Sequence, residues 1–198
     1  GIFGTVLGAA VTYIFMFILF GSFLRKAGAL DFVNDIALAI TGKSSGGPAK
    51  VSVFGSALMG MVSGSGVANV ATTGTVTIPL MKKTGYKGHF AGSVEAVAST
   101  GGLITPPIMG AAAFIMAEFI GIPYRDIMIA ALIPAVLYFV MCFFSVHFEA
   151  KKLGLKGLSK DEIPSILSVL KKGGYLVIPV VLLVTLILYG LTPLYAAI

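Results

Sequence analysis

The sequence predicts an all-α integral membrane fold whose apolar helices are interrupted twice. Three observations carry this reading. The 198 residues are 57% hydrophobic and only 11% charged, with a mean hydropathy of +1.00, whereas soluble domains are about a quarter charged. Several apolar runs reach spanning length and end in Lys or Arg. Two clusters of small and polar residues, SGSGVANVATTG at 63–74 and STGGLITPP at 99–107, sit in the middle of apolar sequence. The 25 Gly and 9 Pro suit transmembrane helices better than soluble ones. Cys142 is the single cysteine, so no internal disulfide can form.

The elements follow in order. Residues 3–24 form a run long enough to span a bilayer core, closed by Arg25 and Lys26. Residues 29–41, ALDFVNDIALAIT, place Leu30, Phe32, Val33, Ile36, Leu38 and Ile40 at helical spacing against Asp31, Asn34 and Asp35. That pattern predicts an amphipathic helix lying in the membrane interface. GKSSGGPAK is a loop. Residues 51–62 and 67–81 are apolar, and each is shorter than the roughly 20 residues of a spanning helix. With SGSG between them they predict a re-entrant helical hairpin over 50–83. Residues 88–120 read as a discontinuous helix, with halves at 88–98 and 108–120 and the break at 99–107. A span at 127–148 follows, then a basic connector at 149–173 and a last span at 174–191. Gly1 in place of Met, apolar sequence from the start and the ending TPLYAAI predict a piece of a longer polypeptide.

In this topology all of the 14 lysines and arginines except Arg125 fall on one side. The positive-inside rule makes that side cytoplasmic. The net charge of +6 is then a topology signal, and nothing calls for nucleic acid. Two full crossings by 51–81 would leave the sides unchanged. The short arms and the polar tip favour re-entry.

Irregular backbone is tolerated at membrane depth only inside protein or against a polar cavity. Both breaks therefore belong inside. Free N–H groups at helix starts favour anions, and free C=O groups at helix ends, with Ser, Thr and Asn oxygens, suit small hard cations. Pro106 and Pro107 remove two donors and force the preceding residue out of helix. Broken helices of this kind mark midplane binding sites in secondary transporters. The competing explanation is tight helix packing by small residues. Gly55, Gly60, Gly110 and Gly121, which lack such polar company, read as packing or loop residues.

Glu95 lies about two turns into the membrane, where a carboxylate is a functional candidate by default. It can relay protons, pair with His89 or a lysine at the cytoplasmic mouth, or cap backbone near the break. His147 and Glu149 read as interfacial, and Glu118 and Asp126 as rim residues. The sequence contains no Cys/His metal cluster, P-loop or HExxH. Ser63 and Ser65 lack a histidine placed to serve as a base, which argues against an intramembrane serine protease and against an enzyme generally.

The segments MVSGSGVANVATTGTVTIPLMKKTGY and GSVEAVASTGGLITPPIMGAAAFIMAE resemble the large membrane subunit of the tripartite ATP-independent periplasmic (TRAP) transporters. The detail is closest to the fused permeases associated with TAXI-type binding proteins. The resemblance implies one half of an elevator-type fold, with residues 1–173 as a first inverted repeat and 174–198 opening an incomplete second. It implies that Ser63, Gly64, Ser65, Gly66 and Asn69 are the hairpin tip, with Thr72 and Thr73 in the same stretch. Ser99, Thr100, Gly101, Gly102, Thr105, Pro106 and Pro107 would be the facing break. Together these are the expected substrate- and ion-binding residues. The implied substrate is a small organic anion, often a carboxylate. The implied partners are a periplasmic solute-binding protein, the rest of the same polypeptide (second repeat and small-subunit region) and the lipid bilayer. Coupling is expected to a cation, Na+, held by neutral oxygens rather than at a transition-metal site. The expected location is the bacterial or archaeal cytoplasmic membrane. The alternatives are a related elevator-type carboxylate symporter without a binding protein, and a channel or packing scaffold.

Overall fold

In a computed structural model the regular structure is all helical, with no strand among the described residues, which are residues 4, 7–8 and 10–197. Part of the predicted first span, residues 3, 5, 6 and 9, lies outside them. A π-helical turn at Ala10–Ile14 leads into α1, Phe15–Lys26. The chain reverses at Gly28, whose φ of 100° suits glycine, into α2, Ala29–Thr41. Two antiparallel helices follow: α3, Gly47–Ser63, and α4, Gly66–Lys83. Next come α5, Gly88–Gly101, and α6, Ala111–Ile120. Helix α7, Tyr124–Lys152, is 29 residues long. The chain closes with α8, Ile166–Gly173, α9, Val177–Leu188, and α10, Pro193–Ala196. Helix α8, a 3-10 turn at Gly174–Leu176 and α9 run on continuously as Ile166–Leu188. This run and α7 are the two helices, among the described residues, long and apolar enough to cross a membrane.

Helices α3, α4 and α5 pack against one another, and α2 flanks α3. Small residues set the spacing. A Cβ on Gly21 of α1 would lie 2.6 Å from the Val62 carbonyl oxygen of α3. An aromatic group ties α1, α6 and the start of α7 together. Phe114 and Tyr124 stack at 4.3 Å with Phe17 beside them. The buried Tyr124 hydroxyl reaches the Pro107 and Ile108 carbonyls at 2.8 and 2.7 Å. Facing outward, α7 exposes Ile129, Ile133, Val136, Leu137, Met141 and Phe144, a surface suited to lipid.

Two boundaries differ from the sequence reading. The hairpin arms take in Gly47–Lys50 and Lys82–Lys83, giving 17 and 18 residues. Pro48 fits the first turn of α3, and Pro79 is accommodated inside α4. At 1.5 Å per residue each arm is about 26 Å long, close to the ~30 Å hydrocarbon core. Arm length therefore does not argue for re-entry. The break also starts later than expected. Ser99, Thr100 and Gly101 are still helical, and Gly102–Ile104 form a 3-10 turn. Residues 105–110 are irregular, and helix resumes at Ala111 rather than 108. The α-helix gives way to the 3-10 turn within the Gly101–Gly102 pair, and helical backbone stops altogether at Thr105, ahead of the prolines. Thr105 precedes Pro106 and is extended, with φ −93° and ψ 117°. The Ser99 and Thr100 hydroxyls bond one turn back, to the Glu95 side chain and the Ala96 carbonyl.

The tightest contact is between α3 and the 3-10 turn. A Cβ on Gly60 would lie 2.3 Å from the Gly102 Cα, and one on Gly102 would lie 2.7 Å from the Gly60 Cα. Both obstacles are backbone and cannot rotate away. Gly60→Ala or Gly102→Ala should cost about 1–3 kcal/mol or more, visible as a lower Tm of the detergent-purified protein. Gly92→Ala, where nothing lies within 4 Å, should be neutral in the same assay.

Candidate functional site

The hairpin tip forms because Gly64 takes φ 59° and ends α3, its N–H donating to the Gly60 carbonyl at 3.1 Å. Ser65 is extended and caps α4, its hydroxyl accepting the Ala68 N–H at 3.3 Å. The Ser63 hydroxyl lies 3.4 Å from the Ser65 amide. This turn rests on the break. A Cβ on Gly64 would meet the Met109 carbonyl oxygen at 2.3 Å, and one on Gly66 would meet the Ser99 carbonyl oxygen at 3.4 Å. Met109 itself holds a φ of 54°.

A cavity of about 510 Å³ opens at this junction. Ser63–Val67 and Val70 line it from the hairpin, Thr100, Leu103, Ile108 and Met109 from the break, and Ile14, Phe17 and Ile18 from the first helix. The N-termini of α4 and α6 and the C-termini of α3 and α5 converge on it. The level is set by α7: a Cβ on Gly101 would lie 2.6 Å from the ring of Tyr138, the central residue of that helix.

One turn away, toward the start of α3, lies a second polar group. Three helices each contribute an i, i+4 pair: Ser52 and Ser56 on α3, Thr73 and Thr77 on α4, Glu95 and Ser99 on α5. All six, and Asn69, are fully buried at 0% exposure. Glu95 Oε1 accepts from Ser56 and Ser99, each at 3.1 Å, and from Thr73. Oε2 accepts from Ser52 at 2.6 Å and from Thr77. No lysine, arginine or histidine bonds to Glu95 among the described residues. His89 is exposed at the start of α5. The pairing with His89 or a mouth lysine is therefore replaced by five hydroxyls. Asn69 links this group to the tip. Its Nδ2 donates to the Ser56 carbonyl at 2.9 Å and lies 3.5 Å from where a Gly102 Cβ would stand.

The expected site residues thus divide. Ser63, Gly64, Ser65, Gly66 and Thr100 line the cavity. Gly102 forms the crossing, and Asn69, Thr73 and Ser99 are buried behind it. Thr72 bonds back to the Ala68 carbonyl at 2.8 Å, and Thr105 to the Gly101 carbonyl at 2.7 Å. Gly101 faces α7, and Pro106 lines an apolar groove against α7 with Phe54 and Leu132. Pro107 contributes the carbonyl held by Tyr124. Sequence reasoning did not single out Ser52, Ser56 or Thr77, nor Gly60 as part of the crossing. The i, i+4 spacing of hydroxyl residues in apolar helices was the available signal. Among the described residues no group of three or more His, Cys, Asp or Glu forms a metal cluster.

Comparison with known proteins gives a consistent result. The family model for the DctM component of the tripartite ATP-independent periplasmic transporters matches residues 2–198. A putative TRAP transporter large permease protein of Haemophilus influenzae is 28% identical over 144 residues, 73% of this chain and 33% of that protein. The C4-dicarboxylate TRAP transporter large permease protein DctM of Vibrio cholerae is 28% identical over 145 residues, 73% of this chain and 31% of that protein. The isethionate TRAP transporter permease protein DctMQ of Oleidesulfovibrio alaskensis is 27% identical over 145 residues, 73% of this chain and 22% of that protein. The chain spans about a third or less of the length of these relatives.

The buried hydroxyl group gives a stability prediction. Glu95→Leu takes the shared acceptor from five buried hydroxyls and should cost on the order of 3 kcal/mol. Ser52→Ala removes one donor and should cost about 1 kcal/mol. Thermal unfolding of the detergent-purified protein measures both, and equal losses would contradict the shared-acceptor account.

Proposed function

The chain belongs to the DctM-component family of the tripartite ATP-independent periplasmic transporters, a family of transport proteins rather than enzymes, and we propose that it forms the permease half-site of a secondary transporter for small organic anions. In this reading residues 1–173 are the first of two inverted repeats, 174–198 open the second, and the two repeats close a shared midplane site of elevator type. Residues 50–83 are the re-entrant hairpin. A periplasmic binding protein delivers the substrate, the second repeat and the small-subunit region complete the assembly, and the complex sits in the bacterial inner membrane with its lysine-rich loops cytoplasmic.

The observation that carries the reading is the meeting of the hairpin tip with the helix break, with a cavity between them, level with the middle of α7. Polar backbone at that depth requires internal partners or a polar cavity. The two helix starts that face the cavity carry free N–H groups and partial positive charge, which suits a carboxylate. Relatives are named for C4-dicarboxylates, for isethionate and for 2,3-diketo-L-gulonate, all small organic anions. The two helix ends and the hydroxyls of Ser63, Ser65 and Thr100, which line the cavity, are neutral or partly negative donors. They fit a hard monovalent cation without a carboxylate ligand. Na+ bound there offsets the charge of a neighbouring carboxylate, so the two bind together.

Two measurements test this. A cysteine replacing Lys83 or Lys156 should react only from the cytoplasmic side, and one replacing Ile122 only from outside; labelling of position 83 from outside refutes the topology. Uptake by the full-length protein in proteoliposomes, with its binding protein, should saturate and require a Na+ gradient. Asn69→Ala and Gly102→Leu should abolish it, and full uptake under a pH gradient without Na+ refutes the ion assignment.

A further inference from the structure

We infer that the groove between α3 and α7 binds one anionic phospholipid from the leaflet on the lysine-rich side, with an acyl chain in the groove and the phosphate on Lys151, beside the buried charge of Lys50. This site is separate from the cavity at the hairpin tip and does not depend on what is transported. Only the naming of that leaflet as cytoplasmic rests on the topology proposed above.

The groove has a volume of about 580 Å³, and none of its lining residues is charged. Thr105 carries its one hydroxyl, which is already bonded to the Gly101 carbonyl at 2.7 Å. A polar solute finds no partner there, and hydrocarbon loses nothing by entering. Val53, Ala57 and Met61 line one wall at helical spacing on α3, and Leu132, Val136, Val140 and Phe144 line the other on α7. From Leu132 to Phe144 is about 18 Å of helix. Spread over that length, 580 Å³ is a channel of roughly 30 Å² in section. Another helix, about 10 Å across, needs more than twice that section. A single hydrocarbon chain, with its neighbours at contact distances of about 4 Å, fits it.

Charge appears where both walls continue toward the lysine-rich side. On α3, Lys50 stands one turn before Val53 and Phe54. On the same face of α7, His147 and Lys151 stand one and two turns past Phe143 and Phe144. These extensions meet at the mouth of the groove. The Lys50 ammonium lies 4.8 Å from the ring centroid of Phe143, a lining residue, and that ring stacks on His147 at 6.4 Å. Lys151 is close enough for its charge to act on both Lys50 and His147.

No carboxylate answers these charges. Neither Lys50 nor Lys151 forms a salt bridge among the described residues. Glu149 points roughly 200° round α7 from Lys151 and pairs with Lys152 at 4.0 Å. Lys50 is 2% exposed, and its hydrogen bond is to the neutral Ser44 hydroxyl at 3.0 Å. A buried ammonium without an anion is costly, and a phosphate at the mouth offsets it. Lys151 is exposed and reaches the phosphate directly, while Lys50 acts through its charge. The occupant must therefore join a hydrocarbon chain to an anion, which is the chemistry of an anionic lipid at a basic pocket between helices.

The test uses the full-length protein, purified in detergent and stripped of lipid, and reads Tm as dioleoyl-phosphatidylglycerol is added. Dioleoyl-phosphatidylcholine and inorganic phosphate form separate arms. Phosphatidylglycerol should raise Tm to a plateau, phosphatidylcholine should need about tenfold more, and phosphate alone should do nothing. Lys151→Gln and Lys50→Met should each raise the half-saturating phosphatidylglycerol concentration about fivefold. Lys87→Gln, at an exposed lysine outside the groove walls, should leave it unchanged. Ala57→Phe fills the groove and should abolish the response with every lysine in place. Val136→Trp, from the exposed wall, does the same should the phenylalanine variant not fold. Equal responses to the two lipids, a response to phosphate alone, or equal effects of Lys151→Gln and Lys87→Gln overturn the inference. A full-length protein that answers to no lipid has the groove filled by another segment of its own chain, which overturns it as well.

Discussion

The contact on which the rest depends is the passage of two backbones at Gly60 and Gly102. Each glycine leaves less than 3 Å for a Cβ against the other's Cα. Only that approach lets the end of α3 and the end of α5 lie side by side, and only then can the turn at Gly64 rest on the Met109 carbonyl. The apolar surroundings make the contact necessary. Unpaired backbone facing hydrocarbon costs several kcal/mol per group, so two interruptions in apolar helices are cheapest where each covers the other. Tyr124 completes the cover from outside by holding the Pro107 and Ile108 carbonyls.

The hydroxyl group around Glu95 solves a related problem by other means. Helices packed through Gly, Ala and Ser have little side-chain bulk to fix their rotation, and hydrocarbon supplies no force that favours one packing over another. Oxygen side chains at i, i+4 on three helices, all directed to one carboxylate, set rotation and register together. The arrangement needs a strong acceptor at its centre and no charged donor, since each hydroxyl brings its own proton. It also explains why Gly74 must be small: a Cβ there would press on the Glu95 side chain at 3.1 Å.

Legibility in the sequence followed the physics of each element. The hairpin turn was readable because Gly and Ser at 63–66 are poor helix formers in an otherwise continuous apolar run. The break was readable in existence and misplaced in extent. Ser99 and Thr100 look like part of a helix breaker by propensity, but serine and threonine can bond back to the preceding turn and stay helical, so the α-helix runs to Gly101 and helical backbone stops only at Thr105, ahead of Pro106. The arms run past the apolar segments because helix continues through flanking lysines: Lys50 is buried in α3 with its ammonium 3.0 Å from the Ser44 hydroxyl and 4.8 Å from the Phe143 ring centroid. The orientation of Gly101 and Pro106 toward α7 was not readable, since it depends on where a helix far along the chain packs. Glu95 stood out as an intramembrane carboxylate. Its partners did not, because each serine or threonine alone looks like a small packing residue, and only the three-helix geometry brings five of them to one point.

The crossing also has an electrostatic consequence that follows from chain direction alone. An antiparallel hairpin turn places one helix end and one helix start together, and a helix break does the same. Their apposition brings two ends and two starts to one cavity, with about half a negative charge at each end and half a positive charge at each start. The four offset one another, so the empty site carries no large net charge to be buried, and the chain needs no ionised side chain at the cavity wall. A cation placed near the ends leaves the starts uncompensated, and an anion placed near the starts leaves the ends so. With both present, each ion answers the pair of termini nearest it and also the other ion. Under the transport function proposed above, cooperative binding of a cation with an organic anion then arises from the backbone. In that proposal the side chains of Ser63, Ser65 and Thr100, which line the cavity, are left to set geometry and selectivity rather than to provide charge.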